Sequence, residues 1–310
     1  MNRYQFIIIV AFTLSFIKSY GQAANWNWAS QVIGNDWSIG EDIASDDANN
    51  VYSCGFFMDS ASFGDHHLYN ESQTAFVVKY DTHGEVCWVN AFPSNHSSFA
   101  ERISVDHNQN VLVLGYFSGI LQVGNDTLSV NSAENFFLIK MDSSGTILWA
   151  RQSNSEYVNQ AVDITIDNDD NIYIVGDNYG LSSYGNLATT KIGMFILKYT
   201  PDGEPVMLIN ESGCNSHSIN VDSNHQIYYT GLINDTTTNG DEPIYTTGSD
   251  LLVPTSSEFD TVLYNGRDPV FISYTLSGEL SWIRQAKSNG YDNWTYSTMD
   301  ESSNWYIIGN

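Results

Sequence analysis

Basic residues are scarce. Eleven Lys and Arg stand against 36 Asp and Glu in 310 residues, for a formal charge of −25. A surface of that sign repels phosphate backbones and anionic headgroups, so nucleic acid and acidic membranes are poor partners. Three cysteines are too few and too scattered for a disulfide framework. Cys54 and Cys87 are expected on strands two spacings apart, about 9.6 Å, beyond the ~7 Å reach of a bridge. They read as small buried residues, and Cys214 has no evident partner. Beyond the N-terminus no apolar run approaches the roughly 18 residues of a membrane helix. G-x-S-x-G, H-E-x-x-H, P-loop and paired-Cys motifs are missing, which leaves the familiar hydrolase, metalloprotease and nucleotide chemistries without a signature.

The first residues carry an export pattern. Arg3 is followed by an apolar stretch from Phe6 to Ile17, and Ser19-Tyr20-Gly21 forms a small-x-small site before Gln22. This predicts a signal peptide over residues 1–21, too short to span a membrane. Arg3 and Lys18 leave with it, so nine basic residues face 36 acidic ones and the formal charge becomes −27. The mature chain, 22–310, is therefore expected outside the cell with no transmembrane segment. Its acidity serves solubility.

That chain is built on two recurring phrases. The first reads DDANNVYSCG (46–55), DHNQNVLVLG (106–115), DNDDNIYIVG (167–176), DSNHQIYYTG (222–231) and DESSNWYIIG (300–309). The second reads KYDTHGEVCW (79–88), KMDSSGTILW (140–149), KYTPDGEPVM (198–207) and SYTLSGELSW (273–282). Each phrase is a hairpin: Asp, Asn, Ser and Gly supply the turn, and β-branched or aromatic residues supply the strands. The closing Gly of the first phrase marks a bend or a close backbone approach.

Each complete repeat thus carries four strands, A and B around the first phrase and C and D around the second. The leading Asp residues stand 60, 61, 55 and 78 apart, longer than the roughly 20–47 residues of solenoid repeats and compatible with four-stranded propeller blades. Strands B and C are almost wholly apolar, as expected where a sheet is covered on both faces. The fold class predicted is all-β: a β-propeller of four-stranded antiparallel blades, about 60 residues each. Repeats fall at about 41–90, 101–151, 161–209 and 217–284, with a partial fifth at 296–310 and an N-terminal D-type strand at 25–32. Four blades and a half make an incomplete ring, so a fragment of a longer chain is expected. The A–B and C–D turns are short and share one face. The B–C and D–A connections are long, vary in length and share the other, where binding is expected.

With these phrases, the chain resembles the secreted bacterial β-propeller repeat (SBBP-type) family. The elements are D-x-x-x-N-V/I-Y-x-x-G, an F-G-x-x-x-L element, and F-V-x-K-Y-D-x-x-G-x-x-x-W. The middle one appears as Ser62-Phe63-Gly64 to Leu68, Val123-Gly124 to Leu128, and Tyr184-Gly185-Asn186-Leu187. The resemblance covers residues 24–310 and implies an extracellular or surface location in a Gram-negative bacterium, often with a C-terminal sorting domain that this sequence lacks. It carries no catalytic residues. The fourth repeat departs from it with Val270 and Ser273 in place of Phe and Lys, and the third with Met207 in place of Trp.

Candidate chemistry is thin. Asp167, Asp169 and Asn171 match the first three ligand positions of a calcium loop, but Ile172 stands where Gly is needed and Asn178 where a bidentate Glu is needed. Asx turns explain these residues, and Asp46, Asp106, Asp222 and Asp300, without a metal. Lys79, Lys140 and Lys198 are expected to pair with carboxylates of the same or the next blade. Trp88, Trp149 and Trp282 are expected to clamp adjacent blades rather than to hold a quinone cofactor. His66-His67 reads as a surface pair in a B–C loop. No catalytic, cofactor-binding or ligand-binding residue is assigned, and calcium is the only cofactor entertained. The leading function is a non-catalytic binding or scaffold module recognising an extracellular protein or glycan through the long loops. The alternatives are a polysaccharide lyase or hydrolase and, more remotely, a quinoprotein-like dehydrogenase. Acidic and aromatic side chains converging on the central channel would favour the enzyme.

Overall fold

A computed structural model describes residues 27–131, 133–234, 267–285, 294–300 and 304–309. The predicted signal segment and residues 235–266 of the fourth repeat's long B–C connection lie outside them. All regular structure among the described residues is strand, and none of it is a helix able to cross a membrane.

A short strand β1 (Val32–Gly34) leads into the first blade, β2 (Ser38–Ser45), β3 (Val51–Phe63), β4 (His66–Tyr80) and β5 (Val86–Phe92). The second blade has β6 (Ser97–Val105) and β7 (Val111–Ser118), a hairpin β8 (Ile120–Val123) and β9 (Asp126–Ser129), then β10 (Asn135–Met141) and β11 (Ile147–Gln152). In the third, a two-residue strand β12 (Asn154–Ser155) precedes β13 (Asn159–Ile166) and β14 (Ile172–Asn178). A hairpin of β15 (Ser182–Tyr184) and β16 (Leu187–Thr189) follows, then β17 (Gly193–Tyr199) and β18 (Pro205–Glu211). The fourth is β19 (Cys214–Val221), β20 (Ile227–Asn234), β21 (Arg267–Tyr274) and β22 (Leu280–Gln285). The partial fifth is the hairpin β23 (Trp294–Met299) and β24 (Trp305–Gly309).

Each of the first four blades is an antiparallel meander in the order A-B-C-D. The chain is a β-propeller whose sheets do not close into a ring among the described residues.

The apolar B and C strands divide their side chains between two interfaces. Tyr52, Cys54, Ala75 and Val77 of the first blade face Ile103, Val111, Val113, Phe137 and Ile139 of the second. The alternate residues Leu112, Leu114, Phe136 and Leu138 face Ile164, Ile172, Ile174 and Leu197 of the third. A third core joins blades 3 and 4 through Tyr173, Val175, Ile196, Ile219, Tyr229 and Ile272. Period-2 alternation therefore places apolar residues on both faces, as covered sheets require. On blade 1 the leading face is only partly covered, by Trp28 and Val32. Ile43 is 66% exposed there, whereas Ile103 at the same repeat position is 5% exposed.

Every A strand bulges opposite the closing Gly of its blade. A Cβ at Gly55, Gly115, Gly176 or Gly231 would collide with the carbonyl oxygen of Ile39, Phe99, Gln160 or Asn215, so the expected close approach is there.

Three expectations are revised. The segment expected as a D-type strand over 25–32 has no strand at residues 27–31, and β1 begins only at Val32. Trp28 nevertheless lies over Gly84, as Trp88 lies over Gly145 and Trp149 over Gly203. The F-G element is not loop: it is a second hairpin, with Gly64, Gly124 and Gly185 at positive φ, its tip against Val86, Ile147 or Pro205 at the start of the outer strand. His66 and His67 accordingly lie in β4, exposed, with His67 Nδ1 2.8 Å from Ser62 Oγ. Cys87 is exposed, unlike Cys54 and Cys214, because it sits on the outward side of the edge strand β5.

Candidate functional site

Three polar or apolar constellations emerge, one on each end of the blades and one on their inner edge.

The short-turn end is a set of carboxylate knots. In each A–B turn the leading Asp accepts the backbone N–H four residues on, at 2.8 Å for Asp46, Asp106 and Asp222 and 2.9 Å for Asp167. Asn50, Asn110 and Asn171 add their side-chain amides. Tyr52, Tyr173 and Tyr228, six residues on, donate their hydroxyls. The residue before the Asn or Gln takes a left-handed conformation: Asn49, Gln109, Asp170 and His225 all have φ of 60–63°.

The expected Lys–carboxylate pairing is present. Lys79 Nζ lies 3.9 Å from Asp46, Lys198 Nζ 3.8 Å from Asp167, and Lys140 Nζ 2.8 Å from Asp106. Lys140 comes closest where Leu112 replaces the tyrosine, so the ammonium supplies the missing donor. Burial pushes Asp106 up, but Lys140 and Asn110 outweigh it and hold the carboxyl below its usual range. The same side chains grip the next blade. Lys79 Nζ and Trp88 Nε1 both donate to the Ser143 carbonyl, at 3.0 and 3.2 Å. Lys140 Nζ and Trp149 Nε1 both donate to Pro201, at 3.0 and 3.1 Å. Trp88 and Trp149 thus clamp blades, and Trp282 meets Trp305 of the fifth hairpin with ring centroids 6.3 Å apart.

The calcium candidates are rearranged by this chemistry. Asn171 turns its amide N–H groups onto Asp167 and offers that carboxylate no companion ligand. The groups brought together are Asp167, Asp169 and His225 of the next blade. His225 Nδ1 is 3.4 Å from Asp167 Oδ2 and its Nε2 3.7 Å from Asp169 Oδ2. Asp167 Oδ2 already accepts from Asn171 and Tyr173 and faces Lys198, a setting suited to holding an anion in place. Adjacent turns are laced likewise: Gln109 with Asp47, and His107 and Asn108 with Asp170. The polar groups of this face are largely engaged with one another.

The loop end differs. On blade 3 the D–A connection pairs with the B–C hairpin, Asn154 opposite Ser183. The Tyr157 ring lies against Gly180. Asn178 Oδ1 accepts from Gly180 N and Ser182 Oγ, and its amide donates to the Lys191 carbonyl. Buried Asn159 ties Tyr184 and Ser182 into the same network. On this rigid base four large apolar side chains face solvent: Tyr157, Tyr179, Leu181 and Ile192, each 45–58% exposed.

The third place is a cleft of about 240 Å³ on the inner edge, between blades 2 and 3. Glu101, Arg102, Tyr116, Gln160, Ala161 and Val162 line it. Glu101 is the extra residue of the A-strand bulge, which turns it out of the ladder beside Tyr116. Tyr116 stacks on Phe99, centroids 4.7 Å apart, and Phe99 meets Phe56 edge-on at 4.8 Å. Burial and then the Glu41 carboxylate push Glu101 above the usual range, with Arg102 and the Tyr116 hydroxyl pulling it back. Burial and the charges of Glu101, Glu134 and Glu41 push the Tyr116 phenol up. Arg102 Nη1 donates to the Glu101 carbonyl at 2.8 Å and lies 4.0 Å from its carboxylate, while Nε, without a hydrogen-bond partner, lies 3.9 Å from Asp163. Deeply buried Asp163 receives Ser218 Oγ and Ile219 N of the next blade at 2.7 and 2.9 Å.

His225, Glu101, Tyr116, Tyr157 and Tyr179 were not singled out from sequence. His225 was within reach, since it holds the fourth place of the first phrase, where neighbouring blades have Asn49, Gln109 and Asp170. The bulge that exposes Glu101 has no signal in one strand alone.

An open array of four-stranded blades on these lines defines a β-propeller repeat protein. No family model matches the chain. It is similar to the "Uncharacterized WD repeat-containing protein L264" of Acanthamoeba polyphaga mimivirus, 29% identical over 110 residues, which is 33% of this chain and 8% of that protein. It therefore spans under a tenth of that relative's length. Among solved structures it is similar to the "Structure of Dos1 propeller" at 7% identity and a TM-score of 0.30, over 89% of this chain and 91% of that one.

Proposed function

We propose that the chain is a non-catalytic binding module of the SBBP type, exported to the cell surface, which holds a protein partner through its loop end. One observation carries this: the Tyr157, Tyr179, Leu181 and Ile192 platform on blade 3. The turn end engages its polar groups internally, whereas the loop end presents apolar surface on a pre-ordered base. Tyrosines at the centre of a contact are the side chains that dominate protein association, each on the order of 2 kcal/mol or more. The flanking Leu and Ile favour a protein over a sugar, which needs polar groups beside its stacking ring.

Acid and aromatic side chains do meet in the inner-edge cleft, the arrangement an enzyme would need. Yet Glu101 is the one carboxylate among its lining residues, where glycoside hydrolysis uses a facing pair. The trial is a Tyr157→Ser/Leu181→Ser double variant, compared with the native chain in extracellular pull-downs and on a glycan array. The native chain should capture a discrete protein that the variant loses, while both unfold at the same urea concentration. Equal capture by both, or binding to glycans alone, would overturn the reading. Release of reducing ends from polysaccharide, lost in Glu101→Gln, would replace it with the enzyme.

A further inference from the structure

The inner-edge cleft is a second site, independent of the loop-end platform. Its walls differ in kind. One is the Tyr116 ring, held flat by its stack on Phe99. The other carries Gln160, Ala161 and Val162 of the next blade. Glu101 lies between them. Arg102 Nη1 donates to the Glu101 carbonyl and lies 4.0 Å from its carboxylate, and Nε points toward Asp163 at 3.9 Å without a hydrogen bond. Glu41 from blade 1 adds its field to both Glu101 and Tyr116, and Glu134, just before β10, adds its own to Tyr116. An anion entering would meet the Glu101 carboxylate on the lining, with the fields of Glu41 and Glu134 behind it, against the single guanidinium of Arg102. A cation would meet the Glu101 carboxylate and the Tyr116 ring on one side and Gln160 of the next blade on the other. About 240 Å³ accommodates one such head on its alkyl stem.

We infer that this cleft binds an alkylguanidinium or alkylammonium head, paired with Glu101 and laid against the Tyr116 ring. Cation–π contact in a partly desolvated site and a charge-assisted hydrogen bond reinforce each other there. The acidic field of the chain concentrates such ligands near the cleft. Glu101 is the charge partner, Tyr116 the platform and Gln160 the rim.

The test is calorimetric titration of the whole protein, at low ionic strength, with Nα-acetyl-arginine amide and with its neutral near-isostere Nα-acetyl-citrulline amide. The arginine compound should bind at least about tenfold tighter, the ratio expected for a hydrogen bond to a charged group. Glu101→Gln should remove that preference. Gln160→Trp, which fills the recess and keeps every carboxylate, should abolish binding of both compounds. Agmatine separates the two sources of such a head, a free amine and a peptide side chain, and binding of either supports the assignment. Equal affinity for arginine and citrulline compounds would overturn it. So would arginine binding that survives Gln160→Trp, which would reveal only diffuse attraction to an acidic surface. The platform variant Tyr157→Ser/Leu181→Ser should leave these titrations unchanged, so the two sites fail separately.

Discussion

Lys140→Met tests the turn knots where they are most demanding. Lys140 and Asp106 are 4% and 2% exposed, and their contact is 2.8 Å. Breaking one side of a buried pair costs about 3–5 kcal/mol because the remaining charge is left without compensation. Asp106 keeps the backbone N–H groups of Asn108 and Asn110 and the Asn110 amide, which argues for the lower end. The lost bond to the Pro201 carbonyl adds about 1 kcal/mol. We therefore expect a loss of roughly 3–4 kcal/mol at neutral pH. Lys79→Met is the internal control: its ammonium is 3.9 Å from Asp46, and Tyr52 already donates to that carboxylate. There the loss should be about 1 kcal/mol. Urea titration followed by tryptophan fluorescence measures both.

The pH dependence gives a second reading. In the native chain Asp106 lies below its usual range, so its contribution is present above about pH 4 and disappears as pH falls through the lower folded value. Without Lys140, burial is less opposed and the folded value rises. The gap between native and variant should therefore be widest at neutral pH and narrow in acid. Equal losses for the two lysine variants, or a gap that stays constant down to pH 3 or so, would refute the compensation between Lys140 and the missing tyrosine.

Two further substitutions test the blade geometry. Gly115→Ala puts a methyl onto the Phe99 carbonyl and the Phe137 ring at the A-strand bulge, and should lower stability by about 3 kcal/mol in the same urea assay. Ile103→Ala should cost about 2–5 kcal/mol, whereas Ile43→Ala, at the equivalent but exposed position, should stay within about 0.5 kcal/mol. A comparable loss at Ile43 would mean that its face is covered in solution.

What could be read from sequence followed from local chemistry repeated in register. Asp46 and its counterparts specify Asx turns wherever they occur, and the recurring Lys and Trp can only repeat if their surroundings do. The blades, the lysine–carboxylate pairs and the tryptophan clamps were legible for that reason. The F-G hairpins were not, because elements as short as β15 and β16 gain their order by packing against the outer strand. Cys87 was misread as buried because a phrase does not reveal which of its strands is outermost. The Asp167–His225 and Glu101–Tyr116 groupings depend on which side of a bulge a residue falls and on contacts between strands or blades. Those are fixed by register and blade angle rather than by spacing along the chain.

The Lys and Trp grips give the blade a direction. Blades 1 and 2 have a donor side, the ammonium and indole, and blades 2 and 3 an acceptor side, the C–D turn that receives the preceding blade's donors. Such head-to-tail contacts are heterologous: they specify which side meets which but set no number of units. Closure then depends on the rotation between successive blades alone. Blade 2, which both accepts and donates, could be duplicated with these contacts kept, so gain of a whole repeat there is the sequence change this interface resists least.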